Sequence, residues 1–165
     1  MSRNFIHFDY TNYEFSSPEL VKGRTIVLRH VLEHIPDPKH FLKKIISYKP
    51  NFLYIAVPNF DRPERKVFGP YDLLLGLPFH LWHFDKKSLF HIFNNLPDTK
   101  VIAWGHDTIP TIAINFALFL NAKKCPKIIV TILTAPFMAY GLLMPLNLFF
   151  PNNVIWLIVK IKNDE

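Results

Sequence analysis

Apolar residues fall along the chain in short runs whose spacing changes from one run to the next. Thr25-Ile26-Val27-Leu28 is continuous and lies between Arg24 and Arg29, which reads as a strand over 24–29. Asp37 suits a helix N-cap and Pro38 the first helical position. Phe41, Leu42, Ile45 and Ile46 then recur on one face, so the pattern predicts a helix over 38–48. Phe52 to Val57 reads as a second strand, stopped at Pro58. The stretch 59–80, broken by prolines at 63, 70 and 78, reads as irregular. Asp85 caps another helix, on which Leu89, Ile92, Phe93 and Leu96 keep helical spacing. Lys100 to Trp104 and Val154 to Lys162 complete the strands, the last rich in β-branched residues. Residues 1–23 read as loop with a short strand over Phe5 to Phe8. Strands alternating with helices define an α/β class.

From Thr108 the pattern shifts. Residues 108–122 and 128–159 carry no charge, with Lys123, Lys124 and Lys127 between them. The second run exceeds the roughly 20 residues that span a bilayer, but Pro136, Gly141, Pro145 and Pro151 interrupt it. Three readings stay open: a pair of buried core helices, an apolar hairpin seated on a membrane surface between flanking lysines, and a spanning helix. The prolines disfavour the last, because each removes a backbone donor.

Composition narrows the classes. Half of the 165 residues are apolar, with 16 Phe, enough for one packed core. The net charge of +6 comes from bases scattered along the chain, without the long run a nucleic-acid stripe needs, and nucleic acid is not an expected partner. A single cysteine, Cys125, rules out an internal disulfide framework, and Met1 to Phe15 has no apolar signal core. The expected compartment is the cytoplasm, with a peripheral membrane position under the hairpin reading.

The candidate chemistry sits in His30-Val31-Leu32-Glu33-His34-Ile35-Pro36-Asp37-Pro38, two imidazoles and a carboxylate where a strand hands over to a helix. Ligands of open α/β sheets bind at the carboxyl ends of strands, which makes this segment a candidate site. The spacing also fits H-x-x-E-H of zinc peptidases, which requires one continuous helix. Pro36 and Pro38 disfavour helical geometry at the residues before them, so at most one turn is expected here.

The same residues carry a family resemblance. Arg29 to Pro38 followed by Phe41-Leu42, then Leu53 to Asn59, His80 to Leu89 and the final strand from Val154, resembles class I S-adenosylmethionine-dependent methyltransferases of the ubiquinone-biosynthesis branch. The likeness covers roughly residues 20–105 and the last dozen. It implies a partial Rossmann-like methyltransferase sheet, strands four to seven, with flanking helices. The sheet portion would occupy 1–107 and 153–165, and 108–152 would be an apolar helical insertion that associates with a membrane under the hairpin reading.

By the same resemblance Arg29 and His30 would lie beside the cofactor's methionine portion, Asn59 would face the substrate pocket, and His80 and His83 would lie near the acceptor, with His34, His83 and Asn59 as the catalytic candidates. Glu33 and His34 match positions that hold a divalent cation in the family; hydrogen bonding of both to the loop backbone is the alternative. His30 stands where the family would place a carboxylate, which weakens a preference for magnesium. The family's glycine-rich cofactor grip is missing: the five glycines are nowhere closer than seven residues apart. The expectation is therefore a methyltransferase-like chain that is truncated or needs a partner chain for the other half, with a small-molecule or lipid-linked acceptor. A non-catalytic fragment or partner subunit, or a small membrane-associated module, is the alternative.

Overall fold

The computed structural model describes residues 8–9, 14–109, 111–139 and 152–162. Two short strands, β1 (Phe8–Asp9) and β2 (Glu14–Phe15), pair antiparallel. The main sheet contains β3 (Thr25–Arg29), β4 (Phe52–Pro58), β5 (Thr99–Asp107) and β6 (Val154–Ile161), in the order β3-β4-β6-β5. β3 and β4 are parallel, with Thr25 opposite Phe52 and Arg29 opposite Ala56. β6 runs antiparallel to both of its neighbours. The final strand thus enters the middle of the sheet, where its nearly unbroken apolar run is buried, as a central strand requires.

Helices α1 (Pro38–Ser47) and α3 (Lys86–Asn94) lie against one face. Phe41, Leu42 and Ile45 from α1 and Leu89 and Phe93 from α3 meet Leu53, Ile55 and Val57 of β4 and Ile155, Leu157 and Val159 of β6 in one core. Both helices start at side-chain caps. Asp37 accepts from the His40 backbone N–H at 2.9 Å. Asp85 accepts from Ser88 N–H at 2.7 Å while its own N–H donates to Ser88 Oγ at 2.9 Å, a capping box. The hydrogen bond from the Ser88 backbone holds the Asp85 carboxyl below its usual range.

The opposite face is different. Val27, Tyr54 and Ile158 share one cross-strand row, and Trp156 lies in the next, its ring 6.2 Å from that of Tyr54. Tyr54, Trp156 and Ile158 are half-buried and Val27 is 61% exposed. Among the described residues β3 pairs only with β4, so it forms an edge of the sheet.

The stretch 59–80 is more regular than its prolines suggest. It holds α2 (Pro63–Phe68) and 3-10 turns at Gly69–Tyr71 and Leu73–Leu75. Pro63 occupies the first helical turn with Glu64 beside it, a start signal the spacing of prolines obscures. A buried polar network fixes the segment. The guanidinium of Arg62, 1% exposed, donates to the Asn59 carbonyl and the Asp72 carboxylate, and its Nε lies 3.7 Å from Glu64 Oε2. Asn115 Oδ1 accepts from Leu73 N–H at 2.8 Å, and Asn153 Nδ2 and Thr111 Oγ1 each approach Glu64 Oε1 at 3.4 Å.

These bonds tie the start of α4 (Ile112–Ala122) to the domain; a Lys123–Pro126 turn then leads into α5 (Lys127–Ala139). The apolar tail is therefore a helical hairpin as far as Ala139, and residues 140–151 lie outside the described residues. No described helix is long and apolar enough to cross a membrane. Of the strand anticipated over Phe5 to Phe8, Phe8 falls in β1 and residues 5–7 are outside the described residues. β5 is longer than anticipated at both ends. It carries an irregularity between Val101 and Ala103 that leaves Ile102 exposed.

Candidate functional site

The end of β3 turns sharply. His30 N–H still donates to the Ala56 carbonyl at 2.8 Å, continuing the ladder, but its φ of 52° swings the chain out of the sheet. Left-handed backbone is unusual for a residue with a side chain, is tolerated better by His than by most, and often marks a functional turn. Leu32–His34 then forms a single 3-10 turn, so the continuous helix of a zinc peptidase is not formed. Leu32 is fully buried in the core and holds this turn down. Of the two residues that follow it, Glu33 is buried and His34 exposed.

A second segment crosses over the carboxyl ends of β3 and β4. Leu81 and Trp82 both donate backbone N–H to the Glu33 carbonyl, at 2.9 and 3.2 Å. The Trp82 indole N–H donates to the Ile35 carbonyl at 2.9 Å, and Phe84 forms a parallel bridge with Asn59. This strap starts at Gly76, whose left-handed φ of 58° ends the preceding 3-10 turn and whose carbonyl accepts from His80 N–H at 2.9 Å.

Strap and turn together place one ligand-bearing atom each from Glu33, His34 and His80 within 4.8 Å of one another. The His34 and His80 rings stand edge to face, centroids 4.8 Å apart. His34 Nδ1 meets the Phe79 carbonyl at 3.1 Å, and His30 Nδ1 meets Glu33 Oε1 at 3.2 Å. Glu33 Oε2 is buried and meets no donor among the described residues. An unmet buried acceptor of this kind costs on the order of 1–3 kcal/mol. Burial holds the His80 imidazole below its usual value, against the pull of the Glu33 carboxylate.

Two clefts flank the strap. One of about 880 Å³ opens between the starts of α1 and α3 and is lined by Pro36, Asp37, Trp82, His83 and His91. The other, about 380 Å³, is lined by Asn59, Asp85, Lys86, His106 and Asn152. Of the residues picked out in the sequence, Arg29 ends β3, and His30, Glu33 and His34 share the turn after it. Arg29 is exposed. His83 lies on the larger cleft, with Nε2 3.2 Å from the Leu75 carbonyl. Asn59, nearly buried, spends its amide within the chain: Nδ2 donates to the Asn152 carbonyl at 2.9 Å, and Oδ1 accepts from Asp61 N–H at 3.2 Å. The resemblance placed His80 near the acceptor beside His83, but sequence spacing did not bring it out as the third member of the Glu33 cluster. The available signal was a second imidazole-bearing turn, Gly76 to His83, downstream of the first.

No protein-family model and no curated protein matches the chain. Among solved structures it is similar to the YcgJ protein from Bacillus subtilis, at 14% identity and a TM-score of 0.45, over 88% of this chain and 66% of that one. It is also similar to a loganic acid methyltransferase with SAH, at 14% identity and a TM-score of 0.38, over 90% of this chain and 56% of that one. The chain thus spans just under two thirds of the first structure and a little over half of the second. At these TM-scores neither likeness assigns a family or a role to any residue.

Proposed function

We propose that the chain is the acceptor-side half of an S-adenosylmethionine-dependent methyltransferase domain, and that its cofactor grip comes from a partner chain or from further residues of the same polypeptide. The observation that carries this reading is the face of β3 and β4 opposite α1 and α3, which no helix among the described residues packs against in the core. β3 and β4 are a parallel pair, and parallel strands are normally covered by helices on both faces, whereas the antiparallel pairings of β6 carry no such requirement. Among the described residues α1 and α3 share one face, while exposed Val27 and half-buried Tyr54 and Trp156 lie on the other beside the edge strand β3. A second layer docking there would adjoin the carboxyl end of β3, where Arg29 and His30 stand.

The residues present do not fit the nucleotide part of the cofactor. Gly23 and Gly69 have positive φ, but a Cβ on either would meet nothing within 4 Å, so neither marks a close cradle. The segments directly after the two strands, 30–37 after β3 and 59–62 after β4, contain no glycine. Arg29, His30, His34, His83 and Asn59 would then serve the methionine portion and the acceptor, and a divalent cation would sit at Glu33 and His34. Calorimetry with S-adenosylmethionine tests the reading: the chain alone should take up none at micromolar concentrations, and tight one-to-one uptake would overturn it.

The hairpin favours a lipid-linked acceptor, presented at a membrane surface. Ile114 and Leu118 on α4, and Ile128 with Ile132 and Ile129 with Leu133 on α5, form exposed ridges at four-residue spacing. Lys123, Lys124 and Lys127 stand at the turn between them. Apolar ridges beside a cationic turn suit an anionic lipid surface. The chain is expected to float with liposomes containing phosphatidylserine and to stay behind with neutral ones. Absence from both fractions would remove the lipid-linked acceptor.

A further inference from the structure

We infer that Glu33, His34 and His80 form a binding site for a divalent transition ion of the zinc class, with His80 of the strap as the third protein ligand. The inference rests on the reading that Glu33 and His34 take a cation; it is independent of methyl transfer. Three observations carry it. The first is convergence: the three ligand-bearing atoms lie within 4.8 Å of one another. Bond lengths to zinc near 2.0–2.2 Å put ligand atoms about 3.3 Å apart in a tetrahedral site. Small rotations of exposed His34 and half-buried His80 close that gap.

The second is the buried carboxylate. Glu33 is 1% exposed, with Oε1 held by His30 Nδ1 and Oε2 unmet among the described residues. The third is the surrounding support. Metal-bound imidazoles usually give their other ring nitrogen to a carbonyl, and metal-bound carboxylates are hydrogen-bonded in turn. His34 has such a partner in the Phe79 carbonyl through Nδ1, which leaves Nε2 for the ion. His30 plays the corresponding part for Glu33.

Ligand chemistry selects the ion. Two imidazoles and one carboxylate suit zinc and its neighbours, while magnesium prefers an all-oxygen shell. Three protein ligands leave a fourth position open to water or substrate, the arrangement of catalytic rather than structural zinc sites. The strap is what completes the set, so the site depends on its start. A Cβ at Gly76 would fall 2.4 Å from His80 Cγ, at a backbone conformation that disfavours any side chain. Gly76→Ala should therefore displace the imidazole.

The test is zinc titration of the whole chain near pH 7 against a chromophoric chelator, with cobalt substitution read by its visible spectrum. One equivalent of zinc is expected, undisturbed by millimolar magnesium, and cobalt should show the intense absorption of a tetrahedral site. His80→Ala should weaken zinc binding by more than about 100-fold, and His30→Ala by roughly 10-fold, as loss of a supporting partner does. His91→Ala and His106→Ala should leave it unchanged. Because His80 is half-buried and outside the main core, its variant is expected to fold, and an unchanged melting curve checks that. No stoichiometric binding, equal competition by magnesium, or an affinity indifferent to His80→Ala would each overturn the site. None of these measurements requires S-adenosylmethionine, so their failure is separable from failure of the methyl-transfer reading.

Discussion

Replacing Arg62 by methionine is expected to lower stability by about 3–5 kcal/mol, because it leaves buried carboxylate without its counter-charge. Arg62 is the only cation of the buried cluster among the described residues, and both Asp72 and Glu64 lie against it. Losing it also frees the Asn59 carbonyl and loosens the 3-10 turn from which Leu73 donates to Asn115. A domain of this size is typically stable by only 5–15 kcal/mol, so the change should be plain in a urea midpoint. A midpoint shift under about 1 kcal/mol would show the cluster to be solvated.

Glu64 gives the same cluster a pH signature. Burial pushes its carboxyl above the usual value, and Asn153 and Arg62 only partly oppose this. A carboxyl whose folded pKa exceeds its unfolded one contributes stability that is full below the unfolded value of 4.5 and is lost as pH rises through the folded value. Glu64→Gln removes that loss, so its stability relative to the parent chain should rise between pH 4.5 and neutrality. The opposite slope, measured by thermal melts across that range, would contradict the assignment.

Leu32→Ala is the second large effect. Leu32 is buried at 0% exposure in the turn between β3 and α1, and it packs in the same core as Phe41, Ile55 and Leu157. Truncating such a side chain costs about 2–5 kcal/mol through lost burial and the cavity left behind. Val27→Ala, one strand residue away from the core side, should cost under about 0.5 kcal/mol because Val27 already meets solvent. The contrast matters for the site. Glu33 and His34 keep their places because Leu32 and Ile35 are anchored beneath them, so Leu32→Ala should also weaken zinc uptake. Unaltered melting with unaltered zinc affinity would mean that the turn is positioned from the strap alone.

Much of the fold was legible in the residues themselves. Continuous apolar runs marked β3, β4 and β6, and Asp37-Pro38 and Asp85 marked the starts of two helices, because caps and periodicity are local signals. What was not legible is non-local. Nothing in the run from Val154 to Ile161 states that it pairs with Phe52 to Pro58 on one side and Thr99 to Asp107 on the other. The helix at Pro63 was hidden because prolines read as breakers, while this one occupies the first turn. The same holds for the site. His30, Glu33 and His34 are neighbours in sequence and were found together, but His80 joins them only in the fold, where Leu81, Trp82 and Phe79 of the strap are bonded to Glu33, Ile35 and His34 of the turn.

The most direct measurement of the central claim is calorimetric titration of S-adenosylmethionine into about 100 μM of the chain alone. A sheet that lacks its cofactor-gripping layer should give no saturable heat, corresponding to a Kd weaker than about 1 mM, or less than roughly 4 kcal/mol of binding free energy. Saturation at one equivalent with a Kd of tens of micromolar or tighter would show that the chain grips the cofactor unaided, and the half-domain account would be wrong.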